Sequence, residues 1–189
     1  MSRDYYMLKY RWEGDERYLL WYDGDPDGVV VDDEQRVLSF ADPMLLRSCA
    51  AEKGISVNEE PPGLHDLDRV RQWSAQRDPA TLDCGETLSA WNLFIDVRSS
   101  VEQRNVVYDE YEQENDDLYD KLFWGSNPPI LTPEGKSYVP LWSRAELIRI
   151  GAVIDTGLRY FQAHVRNVDP DYPGPRRQER KGGPATASG

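Results

Sequence analysis

The stretch GETLSAWNLFIDVRSSV, residues 85–101, decides how the rest of the chain is organised. Leu88, Trp91 and Ile95 recur at helical spacing after Cys84, and Phe94 widens the apolar face. Because a helix with so broad an apolar face is usually surrounded by other elements, we predict a central, mostly buried helix over residues 85–101.

The N-terminal quarter has the pattern of strands. Residues 5–12 alternate, with Tyr6, Leu8, Tyr10 and Trp12 on one face. Residues 18–22, 29–31 and 36–40 are further short strand candidates separated by Asp- and Gly-rich turns. The expected result is an N-terminal antiparallel meander of about four short strands, with one face covered by helices.

Four further segments have helical signals. Asp42 and Pro43 open a helix that Gly54 ends, and shorter helices are expected over residues 66–74 and within residues 108–123. In the long C-terminal helix, Ser143 and Glu146 form a predicted capping box. The predicted fold class is therefore α+β, with four to five helices in a single domain over residues 1–168 and a flexible Pro/Gly-rich tail over residues 169–189.

Charge and cysteine content limit the possible partners and compartments. The 189-residue chain has 34 acidic and 22 basic residues, a net charge of −12, so it should repel nucleic acid and anionic membranes and attract basic proteins. Cys49 and Cys84 are expected to be reduced, buried thiols. With no apolar leader at the N-terminus and no membrane-spanning run, the expected location is cytoplasmic.

The strongest functional candidate is the acidic run of residues 109–120. Like charges on neighbouring helical turns repel, and a basic partner could relieve that cost. Interleaved aromatic residues could anchor such a contact. The alternative is an ordinary solvated helix face with its aromatic residues turned inward. The predicted partner-binding residues are Tyr108, Glu110, Tyr111, Glu112, Glu114, Asp116, Asp117, Asp120 and Trp124.

A calcium site is a second hypothesis. Asp23, Asp25, Asp27 and Glu34, with Gly28, fit the spacing of an EF-hand loop. The flanking residues favour strands rather than the helices of an EF-hand, so an acidic hairpin turn is the competing interpretation and no metal ligands are assigned.

A hydrolase is a third hypothesis, with little sequence support. His65 and His164 are the two histidines, and neither cysteine lies in a catalytic signature. His65 is expected near a helix start, where it could be exposed, and His164 near a helix end. We therefore expect a protein that is not an enzyme, with no catalytic residues and no cofactor.

Several blocks occur in a familiar order and spacing. They are residues 22–31 with 37–40, WNLFID at 91–96, YDKLFWG at 119–125, and TPEG at 132–135 with Trp142 and Ser143. Together they resemble a family of small acidic bacterial immunity proteins, encoded beside polymorphic or contact-dependent growth-inhibition toxins. The resemblance implies a protein that binds and neutralises a cognate toxin domain by covering its active site. It implies a basic partner, such as a nuclease, contacted through residues 109–120 and the loop of residues 124–138.

Overall fold

A computed structural model of the chain describes residues 3–103, 114–131 and 136–168, and it has the predicted α+β fold. The strands are β1 (Asp4–Trp12), β2 (Asp15–Asp23), β3 (Gly28–Val29), β4 (Val37–Phe40), β5 (Leu64–Asp66) and β6 (Val165–Val168). The helices are α1 (Pro43–Glu52), α2 (Leu67–Gln76), α3 (Cys84–Glu102), α4 (Asp116–Gly125) and α5 (Arg144–His164), with a 3₁₀ turn at Pro79–Thr81.

The sheet is mixed rather than wholly antiparallel. β1 and β2 form a hairpin in register along their whole length, and β3 and β4 both pair antiparallel with β2. At the two edges, β5 runs parallel to β1 and β6 runs parallel to β4, in the order β5-β1-β2-β4-β6. The antiparallel meander was thus predicted correctly for the first four strands but is incomplete. β5 and β6 were missed because each short strand adjoins a helix directly, so its apolar residues continue the helical pattern.

One face of the sheet carries the larger apolar core. Leu8, Tyr10 and Leu19 point towards α2, α3 and α5, and Tyr10 meets Phe161 edge to face at 5.1 Å between ring centroids. The predicted alternation of β1 sets this face, since residues two apart lie on the same side of a strand.

The opposite face is covered as well, which corrects the expectation of a single covered face. Met7 and Leu20 on this side pack with Leu46 and Ala50 of α1. The helix is short, and its apolar stripe buries a second, smaller core. The sheet therefore lies between one helix and a layer of helices.

α3 occupies the central position that its sequence predicts. Trp91, Leu93 and Val97 are each at most 1% exposed, and the predicted bounds of 85–101 differ from the observed ones by one residue at each end. Its close packing against α5 depends on Gly157, where a Cβ atom would overlap the Phe94 ring. The glycine therefore lets the two helices approach.

The helix boundaries follow the predicted caps. Asp42 accepts a 2.8 Å hydrogen bond from the Met44 amide, and Gly54 follows α1 with a positive φ of 72°. At α5, the Ser143 hydroxyl accepts from the Glu146 amide and the Glu146 carboxylate accepts from the Ser143 amide, so the capping box is confirmed. The helix ends at His164, and Val165 begins β6 directly after it.

Two predictions fall partly or wholly outside the described residues. The helix expected within residues 108–123 is described only from α4 onward, and the predicted tail over residues 169–189 lies beyond the described part. Among the described helices, none is long and apolar enough to cross a membrane.

Candidate binding surface and cleft

α4 carries the described part of the acidic run. Of the predicted contact residues, Glu114, Asp116, Asp117, Asp120 and Trp124 are described, and all five are exposed. The remaining four, Tyr108, Glu110, Tyr111 and Glu112, lie outside the described residues. The helix buries Leu118 and Leu122 against the core, so its apolar stripe faces inward.

The acidic residues of α4 do not form one uniform surface. Asp117 receives hydrogen bonds of 2.8 and 3.0 Å from the Arg149 guanidinium, whose Nη2 also donates to the Glu114 carbonyl. The bonds from Arg149 lower the pKa of the Asp117 carboxyl. Asp116 and Asp120 have no ion pair among the described residues. The unneutralised charge of the helix is therefore concentrated on those two side chains.

Next to α4 lies a segment with an unusual number of exposed apolar side chains, residues 124–131 and 136–141, which we call the apolar loop. Ile130 is 92% exposed, Leu141 87% and Val139 76%, and about half of Trp124 is exposed. Single exposed apolar residues are ordinary on protein surfaces, whereas a concentration on one segment is typical of interaction sites.

The apolar loop is fastened at its base. Asn127 donates to the carbonyls of Gly125 and Tyr138 at 2.9 and 3.0 Å and accepts from the Tyr138 amide at 2.6 Å. The Lys121 ammonium donates at 2.6 Å to the Leu141 carbonyl. These bonds hold the two ends of the loop beside α4, so its apolar side chains are displayed from a defined base.

A cleft of about 1110 Å³ lies between the β1–β2 hairpin, the loop of residues 60–63, and helices α3 and α4. Its apolar and aromatic wall includes Tyr6, Trp21 and Tyr119. Six carboxylates also line it, and none of its described lining residues is a lysine or arginine. The carboxylates are Asp23, Asp25, Asp27, Glu60, Asp96 and Asp116.

Asp96 is the least exposed of these carboxylates. It lies on α3, and its Oδ2 accepts a 2.8 Å hydrogen bond from the Trp21 indole Nε1. Burial, together with the nearby Asp27, raises the pKa of Asp96 from its ordinary value of 3.8 to about 6, although the bond from Trp21 opposes the shift. A carboxylate with so large a shift in a cleft is a candidate functional group.

The position of His65 differs from the prediction. It lies in β5 opposite Tyr10, half-buried in the cleft wall, because the helix begins only at Leu67. Burial lowers the pKa of His65, and its Nδ1 has no hydrogen-bond partner among the described residues. His164 lies in the last turn of α5 as predicted, stacked on Tyr160.

The cysteines have no partner thiol. Cys84 is buried in the larger core and Cys49 is half-buried beside the smaller one, and burial raises the pKa of both. These surroundings disfavour the reactive thiolate.

The calcium-loop pattern lies on a hairpin. Asp23 ends β2, Gly28 begins β3, and Asp27 accepts from the Gly24 amide at 2.9 Å. Glu34 lies close to Arg36 instead, at 3.2 Å. Within residues 3–103, 114–131 and 136–168, no cluster of His, Cys, Asp or Glu has the geometry of a metal site.

Sequence reasoning missed the cleft. Its acidic residues come from four separate parts of the chain, and only the fold brings them together. The available signal was Asp96 itself, a carboxylate directly after the apolar Phe94-Ile95 pair on a helix predicted to be buried. Charged residues are rarely buried without a partner, so such a position indicates a special environment.

Comparison with protein-family models and with curated proteins finds no match. Among solved structures, the chain is similar to the C-terminal domain of SatS, determined in complex with bromine. The TM-score is 0.52 at 14% sequence identity, covering 87% of this chain and 94% of that one. At this identity the similarity concerns the fold alone.

Proposed function

We propose that this chain is a non-enzymatic binding protein that docks onto a basic partner protein through α4 and the apolar loop. The proposal includes the more specific role that the sequence resemblance implies, an immunity protein that binds and neutralises a cognate toxin domain. The observation that carries it is the combination of exposed apolar side chains and unneutralised carboxylates on adjacent segments.

The apolar loop supports a protein partner. Burying an exposed aliphatic side chain of this size contributes about 1.5–3 kcal/mol. Ile130, Val139 and Leu141 leave most of that contribution unused in the isolated chain. The hydrogen bonds of Asn127 already hold the apolar loop at its base. Less conformational entropy is therefore lost when the loop binds a partner, which favours affinity.

The charge distribution supports a basic partner. Asp116 and Asp120 project from α4 without an ion pair among the described residues, and the whole chain has a net charge of −12. Such a surface accelerates association with a positively charged protein. Nucleases are positively charged where they bind phosphates, so an acidic inhibitor can reproduce part of the substrate's charge.

Coexpression of the chain with the C-terminal domain encoded by the neighbouring reading frame tests the proposal. We expect an equimolar complex on purification and protection of cells from that domain. The double variant Ile130→Ser/Leu141→Ser should lose both. Met44→Ser is a matched control, because Met44 is 69% exposed but lies on α1, across the sheet.

If the wild-type chain forms no complex and gives no protection, the proposal is contradicted for that partner. Equal loss in the Met44→Ser variant would contradict the assignment of the surface, since general loss of stability would then explain the result.

A further inference from the structure

The cleft brings six carboxylates together. Some carboxylates elsewhere have cationic partners: Asp66 binds Arg11 at 2.6 Å, and Glu146 binds Lys121 at 2.6 Å. Within the described part of the chain, none of the six cleft carboxylates has an ion pair. The cleft therefore concentrates negative charge that the fold does not neutralise.

Asp96 gives a second indication, because it is less exposed than the other five carboxylates of the cleft. The Asp96 carboxylate is largely buried and accepts one hydrogen bond from Trp21, and the like-charged Asp27 disfavours its ionisation. An ionised carboxylate out of water costs free energy unless a cation or several donors compensate it. A bound cation would supply that compensation.

The aromatic residues define which kind of cation fits. Trp21 and Tyr6 are adjacent, with ring centroids 5.7 Å apart. Tyr119 is fixed by a 2.8 Å hydrogen bond from its hydroxyl to the Asn92 Oδ1. Planar guanidinium groups stack on such rings more favourably than compact ammonium groups do.

We infer that the cleft binds an extended, arginine-containing peptide segment, with one guanidinium between Asp96 and the aromatic wall and further cations along the acidic rim. The cleft volume of about 1110 Å³ is larger than most small-molecule sites, and its carboxylates are spread over four segments. Both features favour a chain with several positive charges. That this peptide segment belongs to the basic partner rests on the proposed function. That the cleft binds such a peptide does not.

Calorimetric titration of the full chain with a capped hexapeptide of alternating arginine and glycine tests the inference. A glutamate–glycine hexapeptide and spermine serve as comparison ligands. We expect binding of the arginine peptide at low ionic strength, none of the glutamate peptide, and weaker binding of spermine.

Two variants locate the site. Asp96→Asn should weaken peptide binding about tenfold or more, because a hydrogen bond to a charged group contributes about 1.5–3 kcal/mol. Asp116→Asn, on the exposed edge, should weaken it less and leaves the core untouched. Asp33→Asn is the matched control. Asp33 is exposed on the turn before β4, and its substitution changes the net charge by the same amount as the other two.

Equal weakening by all three variants would overturn the inference, because attraction would then depend on net charge alone. Absence of binding of the arginine peptide would also overturn the inference. So would spermine binding that is as tight as peptide binding and is weakened as much by Asp96→Asn. The peptide experiment needs no natural partner, so the two proposals can fail separately. If the peptide binds but the neighbouring-frame domain forms no complex, the inference about the cleft stands and the proposed function is rejected. If the domain forms a complex but the peptide does not bind, the proposed function stands and the inference about the cleft is rejected.

Discussion

The indole Nε1 of Trp21 donates a 2.8 Å hydrogen bond to Oδ2 of Asp96, linking β2 to the central helix across the floor of an acidic cleft. This bond is the main compensation that the described residues give the Asp96 carboxylate. It opposes, but does not cancel, the effect of burial, so the pKa of Asp96 stays raised to about 6.

Replacing Asp96 with Asn should stabilise the protein at neutral pH. Because the pKa of Asp96 is raised in the folded state, folding favours the protonated carboxyl over the ionised one. The stability of the wild-type protein therefore falls as pH rises from about 4 through about 6 and Asp96 loses its proton. The amide can still accept from Trp21 and has no charge to desolvate. We expect a gain of about 2–3 kcal/mol at pH 8, vanishing near pH 4.

Urea unfolding of both proteins from pH 4 to pH 8 measures this difference. Taking the difference at each pH largely removes the contribution of His65, whose lowered pKa acts in the opposite sense in the same cleft. A difference that does not vary with pH would show that Asp96 is not the titrating group.

The capping box of α5 should give the reverse pH dependence. A hydrogen bond from Lys121 and bonds at the helix start lower the pKa of Glu146 to about 2. A carboxylate with a lowered pKa stabilises the fold above its unfolded value of about 4.5, and that contribution is lost as pH falls towards 2. Glu146→Gln should remove this part of the acid sensitivity.

Thermal unfolding of wild type and Glu146→Gln between pH 2 and pH 6 checks the expectation. Ser143→Ala is the companion variant. It should lower the free energy of unfolding by about 1 kcal/mol, with little pH dependence of its own. Equal acid sensitivity of wild type and Glu146→Gln would mean that other carboxylates govern acid unfolding.

Gly157→Ala tests the packing of α3 against α5. Alanine is favoured over glycine in a helix by about 1 kcal/mol, yet here its Cβ would overlap the Phe94 ring. Overpacking costs about 1–3 kcal/mol, so we expect net destabilisation in urea unfolding. Combining Gly157→Ala with Phe94→Leu should cost less than the sum of the two single variants. Additive costs would show that the two residues do not compete for the same space.

Association with the proposed partner should depend on the unpaired carboxylates of α4. Asp116→Ser/Asp120→Ser should slow association several-fold at low salt and flatten its salt dependence, because both charges are exposed. Asp117 is left unchanged, since its bonds to Arg149 make it part of the fold. Stopped-flow measurement against the neighbouring-frame domain, with Asp33→Ser/Glu52→Gln as control, decides whether position or net charge matters.

Local signals in the sequence were sufficient for much of the fold. The capping box at Ser143, the N-cap at Asp42 and the alternation of β1 each depend on residues a few positions apart, and each prediction agrees with the structure. The parallel edge strands were missed because pairing of β5 with β1 joins residues about 55 positions apart, as in Lys9 opposite Leu64.

The functional surface was only partly predictable for the same reason. The exposed position of Trp124 follows from its place beyond the apolar stripe of α4, and a loop over residues 124–138 was expected from the sequence. By contrast, the neutralisation of Asp117 by Arg149 spans 32 residues, and the cleft requires five separate segments. Neither has a local signature.

The affinity of the neighbouring-frame domain for three purified proteins tests the central claim most directly: wild type, Ile130→Ser/Leu141→Ser, and Met44→Ser. Calorimetry should give tight equimolar binding for wild type and Met44→Ser, and an affinity reduced by more than about a hundredfold for the double variant, from the loss of two buried aliphatic side chains. Unchanged affinity in the double variant would show that the apolar loop is not the docking surface.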